Sequence, residues 1–183
     1  MPDSIKSGYS GNLAIVDEEG RMYVKSTSIS EAAAEALIGK CFIINTGIIA
    51  LTTTGSYSGL LYIKNLASSD LFIHLIELNG TQMAQWQTIK TPTTGTLISG
   101  GTAIVGYNAN IASGVSLNAT LLKGADALTV TDGTAILDNI TSIGTTPNSF
   151  RDTLIIPVNK TIAWTVKPSA AGNFSIVAIV YYD

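Results

Sequence analysis

The chain has 183 residues, enough for one domain with a sizeable core. Hydrophobic residues make up 46% and charged residues only 13%, against about a quarter in an average domain, and the net charge of −3 comes with no cluster of Lys or Arg that could track a phosphate backbone. One cysteine excludes an internal disulfide, one cysteine plus one histidine leave a His/Cys metal site short of ligands, and no apolar run reaches the ~20 residues of a membrane helix.

Met1–Asn12 is polar, contains glycine and reads as an extended arm with Ile5 and Tyr9 as its anchors. It has no apolar stretch of the secretory kind, so synthesis in a cytosol is expected. Residues 13–183 read as one β-sandwich domain. Leu13–Asp17 and Met22–Lys25 form short strands about Glu18-Glu19-Gly20. Ser28–Gly39 is the one good helix: Ser28 and Glu31 fit a capping box, alanines fill the interior and Gly39 ends it. Glu31 and Glu35 share a face at i,i+4 spacing, and without a histidine or metal partner they read as a solvated pair rather than an acid/base couple. Cys41, in the apolar run CFII, reads as a buried thiol.

From there the pattern is β. Cys41–Asn45 and Ile48–Thr52 precede Ser58–Leu78, where two apolar runs flank Ala67-Ser68-Ser69. Folded as a hairpin, this stretch pairs Leu61 with Leu75 and Ile63 with Ile73 on an aliphatic face. The other face carries Tyr62, Lys64, Phe72 and His74; it is too apolar for solvent and predicts a cover, either the early helix or another subunit. Gln82–Ile89 is a strand containing Trp86. Thr91–Gly101 reads as a loop, Thr102–Tyr107, Ser116–Leu122, Leu128–Thr131 and Ala135–Ile140 as short strands, and Ile143–Phe150 as a loop. Asp152–Val158 adds a strand. Lys160–Lys167 and Asn173–Tyr182 then alternate cleanly about Pro168–Gly172, with Ile162, Trp164, Val166, Phe174, Ile176, Ala178 and Val180 on the inward face of a second hairpin. Many short antiparallel strands with one early helix predict an all-β sandwich of jelly-roll type.

The residues that carry chemistry are few. His74, the sole histidine, reads as a hydrogen-bonded strand residue; a Ser-His-Asp hydrolase built on it would need a nucleophile elbow, which is missing. Asp126, Asp132 and Asp138 match no calcium-loop spacing and read as turn residues. Ser99-Gly100-Gly101 lacks the flanking strand, helix and lysine of a phosphate cradle. Trp86, among polar neighbours, is the candidate exposed aromatic, with core or subunit contact as the other reading. No catalytic residue, metal or cofactor is assigned.

Several segments carry a resemblance. These are Ala14-Ile-Val-Asp-Glu-Glu-Gly-Arg-Met-Tyr-Val, the Ser/Glu/Ala helix, Asn45-Thr-Gly-Ile-Ile-Ala-Leu-Thr, Gly59-Leu-Leu-Tyr-Ile-Lys-Asn65, Gly100-Gly-Thr-Ala-Ile-Val-Gly-Tyr-Asn-Ala-Asn, Leu121-Leu-Lys-Gly124 and the tyrosine-ended last strand. Together they are similar to tailed-bacteriophage virion structural proteins of the head decoration type. The resemblance implies a non-enzymatic capsid decoration or cement protein, made in the host cytoplasm and placed on the head surface. It would bind itself, a homotrimer being favoured, and the major capsid protein or other virion proteins, with no nucleic acid or membrane partner. A host-receptor or glycan-binding module of a head or tail fibre is the alternative. Candidate partner contacts are Ile5, Tyr9, Trp86 and Tyr107.

Overall fold

The computed structural model describes residues 4–6, 13–16, 22–25, 30–141 and 143–182. Strands β1 (Ser4–Lys6), β2 (Leu13–Val16) and β3 (Met22–Lys25) form a three-stranded antiparallel sheet. Part of the expected arm is therefore a paired strand, and the β1–β2 pairing runs across the boundary drawn at residue 12. The Glu18-Glu19-Gly20 turn lies outside the described residues.

Helix α1 (Glu31–Leu37) is shorter than its sequence pattern. Ser30 Oγ caps it, accepting from Ala33 N–H at 3.3 Å; Ser28, the expected cap, lies outside the described residues. Gly39 ends it at φ 79°, its N–H donating to the Ala36 carbonyl and Lys40 N–H to that of Glu35. This is a Schellman closure, which glycine adopts without strain.

The rest is two antiparallel sheets. The strands are β4 (Cys41–Asn45), β5 (Ile49–Leu51), β6 (Ser58–Asn65), β7 (Leu71–Gly80), β8 (Ala84–Lys90), β9 (Thr102–Ala103), β10 (Gly106–Asn108), β11 (Ala119–Lys123), β12 (Thr134–Thr141), β13 (Gly144–Ile156), β14 (Thr161–Pro168) and β15 (Gly172–Tyr182). One sheet runs β10-β4-β15-β7-β13, with β5 beside the start of β15; the other runs β12-β8-β14-β6-β11-β9. The four-strand cores β4-β15-β7-β13 and β6-β14-β8-β12, with the chain crossing between sheets at nearly every step, make this a jelly roll. Residues 91–133 are an insertion between β8 and β12. It holds α2 (Thr96–Gly100), where a loop was expected, and supplies edge strands to both sheets.

Both expected hairpins are corrected. β6 and β7 lie in different sheets, as do β14 and β15. Each run pairs instead with a strand of the other proposed hairpin: Ile63 lies beside Ile162 and Leu61 beside Trp164, while Leu78 lies beside Ile176 and Ile76 beside Ala178. The inward faces are nevertheless right for the C-terminal strands, since Ile162, Trp164, Val166, Phe174, Ile176, Ala178 and Val180 are all core. On β7 a bulge leaves His74 as the extra residue against Ile179 and Val180, and this shifts the parity. Leu71, Ile73, Ile76 and Leu78 point inward, and Leu75, expected beside Ile73, is only half-buried. From Gly144 onward the expected loop 143–150 belongs to strand β13.

A buried asparagine sets the crossing from β6 to β7. Asn65 Nδ2 donates to the carbonyls of Ser69 and Ile156, each at 2.9 Å, and its Oδ1 accepts from Ala67 N–H at 3.0 Å. The side chain thereby closes a local turn and ties it to the opposite sheet, where a hairpin would have kept both strands in one. Asn65→Ala strands these partners in a buried site and is expected to cost about 3 kcal/mol, read from the denaturant midpoint. Asn118→Ala, which loses one exposed bond to the Leu66 carbonyl, is expected to cost under about 1 kcal/mol.

Candidate functional site

The ionisable side chains with unusual surroundings are structural in their contacts. Cys41 is buried beneath α1 with Ala32 and Tyr181. Burial pushes its thiol up, the Phe42 N–H opposes this and the Glu35 charge adds to it, so the group stays protonated and unreactive at neutral pH. The two helix carboxylates are not the plain solvated pair expected. Glu31 accepts from Tyr181 Oη at 3.2 Å, and Glu35 is mostly buried, 3.8 Å from Lys40 Nζ. Among the described residues no three His, Cys, Asp or Glu side chains converge as metal ligands.

The aspartates are loop clamps. Asp132 Oδ1 accepts from the N–H groups of Thr93 and Thr94 at 2.8 and 2.9 Å, and its Oδ2 accepts from Thr93 Oγ1 at 2.5 Å. Asp126 takes the Thr52 hydroxyl and, at 3.0 Å, the Thr53 N–H. These bonds, the threonine hydroxyl first in each case, hold both carboxyls down to about 2. Asp138 is exposed on edge strand β12. The turn reading of Asp126 and Asp132 therefore acquires a mechanism: Asp126 ties the insertion to the loop after β5, and Asp132 ties the end of the insertion to its start.

The remaining candidate is a surface. Tyr107 is 68% exposed on β10, beside Ile43 of β4. Trp86 is corrected: it is buried in the core, its Nε1 donating to Thr141 Oγ1 at 2.9 Å and its ring meeting Phe174 edge-on, so it offers nothing to a partner. Ile5 lies in β1, opposite Ala14, and Tyr9 lies outside the described residues. Among the described aromatic side chains Tyr107 alone is largely exposed.

Around Tyr107 the structure adds residues that the sequence reading passed over. Leu37 and Ile38 end α1 in solvent, and Ile111 is 99% exposed. The loop that carries Ile111 is fixed to the helix end: Asn108 Nδ2 donates to the Gly39 carbonyl at 2.6 Å and Asn110 Nδ2 to that of Leu37 at 3.2 Å. The carbonyl of Leu37, in the last turn of the helix, and that of Gly39, just beyond its cap, thereby gain donors. Asn110 N–H bonds Asn108 Oδ1 and Ala112 N–H bonds Asn110 Oδ1, so Ile111 projects from a braced turn. The signal was a lone large apolar residue in Asn108-Ala-Asn-Ile-Ala-Ser-Gly114, where small polar residues suffice for a turn.

The expected mixed face is corrected with its hairpin, since Tyr62 and Lys64 lie on one sheet and Phe72 and His74 on the other; α1 covers Phe72 as expected, while the cover over Tyr62 is the insertion. Phe72 stacks on Tyr181 at 5.2 Å and packs with Ala32 and Ala36 of α1, while Tyr62 packs with Leu97 of α2. Comparison with protein-family models, curated proteins and solved structures finds no match to the chain.

The clamps set a pH dependence. Both carboxyls titrate at about 2 when folded, below their ordinary value near ~3.9, so their stabilisation is complete above pH ~4 and is lost as pH falls toward 2. Urea midpoints of the native chain are expected to drop through this window. Asp126→Asn with Asp132→Asn is expected to lower the midpoint at pH 6 and to flatten the acid limb; an unchanged acid limb would show that the loss arises elsewhere.

Proposed function

We propose that this chain is a virion structural protein of a tailed bacteriophage, a capsid decoration or cement protein that stabilises the shell by burying surface against it and against other copies of itself. It works without catalytic, metal or cofactor chemistry, and it is made in the host cytoplasm and carried on the head. The observation that carries this reading is the exposed aliphatic patch where Leu37 at the end of α1 and Ile111 on its braced turn line one shallow hollow, at the jelly-roll edge whose last strand also exposes Tyr107, because apolar surface of this kind marks a protein contact. The segments similar to phage head proteins support it, and two of them, the helix and the stretch from Gly100 to Asn110, supply parts of that patch.

A second reading, a receptor- or glycan-binding module of a head or tail fibre, draws on the exposed ring of Tyr107, which offers a face to a sugar.

Sedimentation separates the two. Purified chain mixed with empty heads is expected to pellet with them, and heads that carry it are expected to withstand higher temperature than bare heads. A chain that stays in the supernatant and leaves shell stability unchanged contradicts the decoration reading. Binding on a glycan array that Tyr107→Ala abolishes would favour the fibre module.

A further inference from the structure

The sheet β10-β4-β15-β7-β13 is apolar on its outer side as well as its inner one. Leu75 of β7 lies beside Ile179 of β15, and Ile179 beside Ile43 of β4, so the three form one cross-strand row that faces away from the core. Tyr107 on β10 ends the row. Leu75 and Ile179 are only partly buried and Ile43 is 39% exposed. An antiparallel sheet that meets water carries polar residues at its outward positions, so a row of this composition calls for a cover. The cluster beneath α1 takes in the preceding row, Phe72, Tyr181 and Cys41, and only Ile179 of this one.

A second apolar face stands close by in the chain. The register of β1, β2 and β3 places Ile5, Ala14, Val16, Met22 and Val24 on one face of their small sheet, and Lys6, Leu13 and Lys25 in a row of the other. Strands of three and four residues hold together only when such a face is buried.

We infer that β1–β3 is a tethered cover: its apolar face packs on the outer row Leu75, Ile179 and Ile43 of its own chain, beside α1, and leaves Tyr107 at the rim. The two faces match in width, three strands against three, because strand spacing is the same in every sheet. The tether selects the same chain over a second copy. β3 ends at Lys25 and the α1 cap, Ser30, follows five residues on, a span of at most about 18 Å. Helix α1 lies against this same outer side, Glu31 accepting from Tyr181 Oη and Ala32 packing with Cys41. Packed sheets stand about 10 Å apart, well within that span. A segment held so closely competes at an effective concentration of about millimolar, which a second copy in dilute solution does not reach. While the cover is seated the row is closed to other proteins; lifting it frees two matching apolar faces at one place.

Thiol labelling of the full chain tests this. Ile43→Cys places a reactive group in the row, while Cys41, buried beneath α1, stays unlabelled unless the sandwich opens. The introduced thiol is expected to react at least about tenfold slower than in a chain that also carries Val16→Asp and Val24→Asp, which put charge on the apolar face of β1–β3. Val24→Asp alone serves as the milder variant should Cys41 begin to react. Lys6→Asp with Lys25→Asp, on the other face, is expected to leave the thiol protected, and dilution is expected to change nothing. Equal rates with and without the valine substitutions overturn the proposal, as does equal release by the lysine pair. Protection that fades on dilution overturns it too, because the cover then comes from a second copy.

Discussion

The burial of β6 and β14 on both faces is the constraint on which the rest of the structure depends. Inward, Leu61, Ile63, Ile162 and Trp164 meet the opposite sheet. Outward, Tyr62 and Ala163 are sealed by Leu97, with Ile98, Leu122, Leu128 and Val130 around them, all from the insertion between β8 and β12. The insertion lies flat on the sheet because glycine meets glycine. A Cβ on Gly124 would lie 1.7 Å from the Gly59 carbonyl oxygen, and one on Gly59 would lie 2.6 Å from Leu97 Cδ2. Backbone bonds then join the layers, Gly59 N–H to the Leu128 carbonyl and Gly124 N–H to that of Leu60. An insertion that could pass for a surface loop is in effect a third layer; Asp126 pins it to the loop after β5 and Asp132 joins its two ends.

Most strand positions and the inward faces of the last two strands were legible in the sequence, while partners were not, and neither were the strand at 144–150 nor the absence of one at Leu128–Thr131. Ile162, Trp164 and Val166 alternate in the same way whether Phe174 and Ile176 lie beside them or across the sandwich, since both arrangements bury the same face. The deciding signals were local polar contacts, such as the Asn65 clasp, which sequence alternation does not register. Bulges misled for a related reason. One extra residue at His74 moves Leu75 off the inward face and brings Ile76 onto it, and nothing in LFIHLIEL announces the shift.

The candidate surface was half legible. Tyr107, a candidate partner contact as an aromatic ending a short strand, is exposed. Trp86 stood out for its polar neighbours, but Gln85 and Gln87 are simply the outward positions of a strand whose inward position Trp86 holds. Polar neighbours at i±1 are what a buried strand residue should have. Leu37 and Ile38 were absorbed into the helix pattern, although a helix that ends at Gly39 leaves its last apolar residues at the rim rather than over the core.

The edges also indicate what kind of contact this fold can make. An open strand edge invites pairing with another chain, and natural sheets blunt it. Here β9 and β10, with two and three residues, are too short to template a strand, and β12 and β13 are interrupted by bulges. Backbone pairing is therefore discouraged on both sides, while large aliphatic side chains remain at those same edges. Recognition built this way works through side-chain packing of fixed shape, which selects one partner geometry where a free strand edge would accept many. That is the property a protein needs if its work is to occupy a defined place in a symmetric assembly.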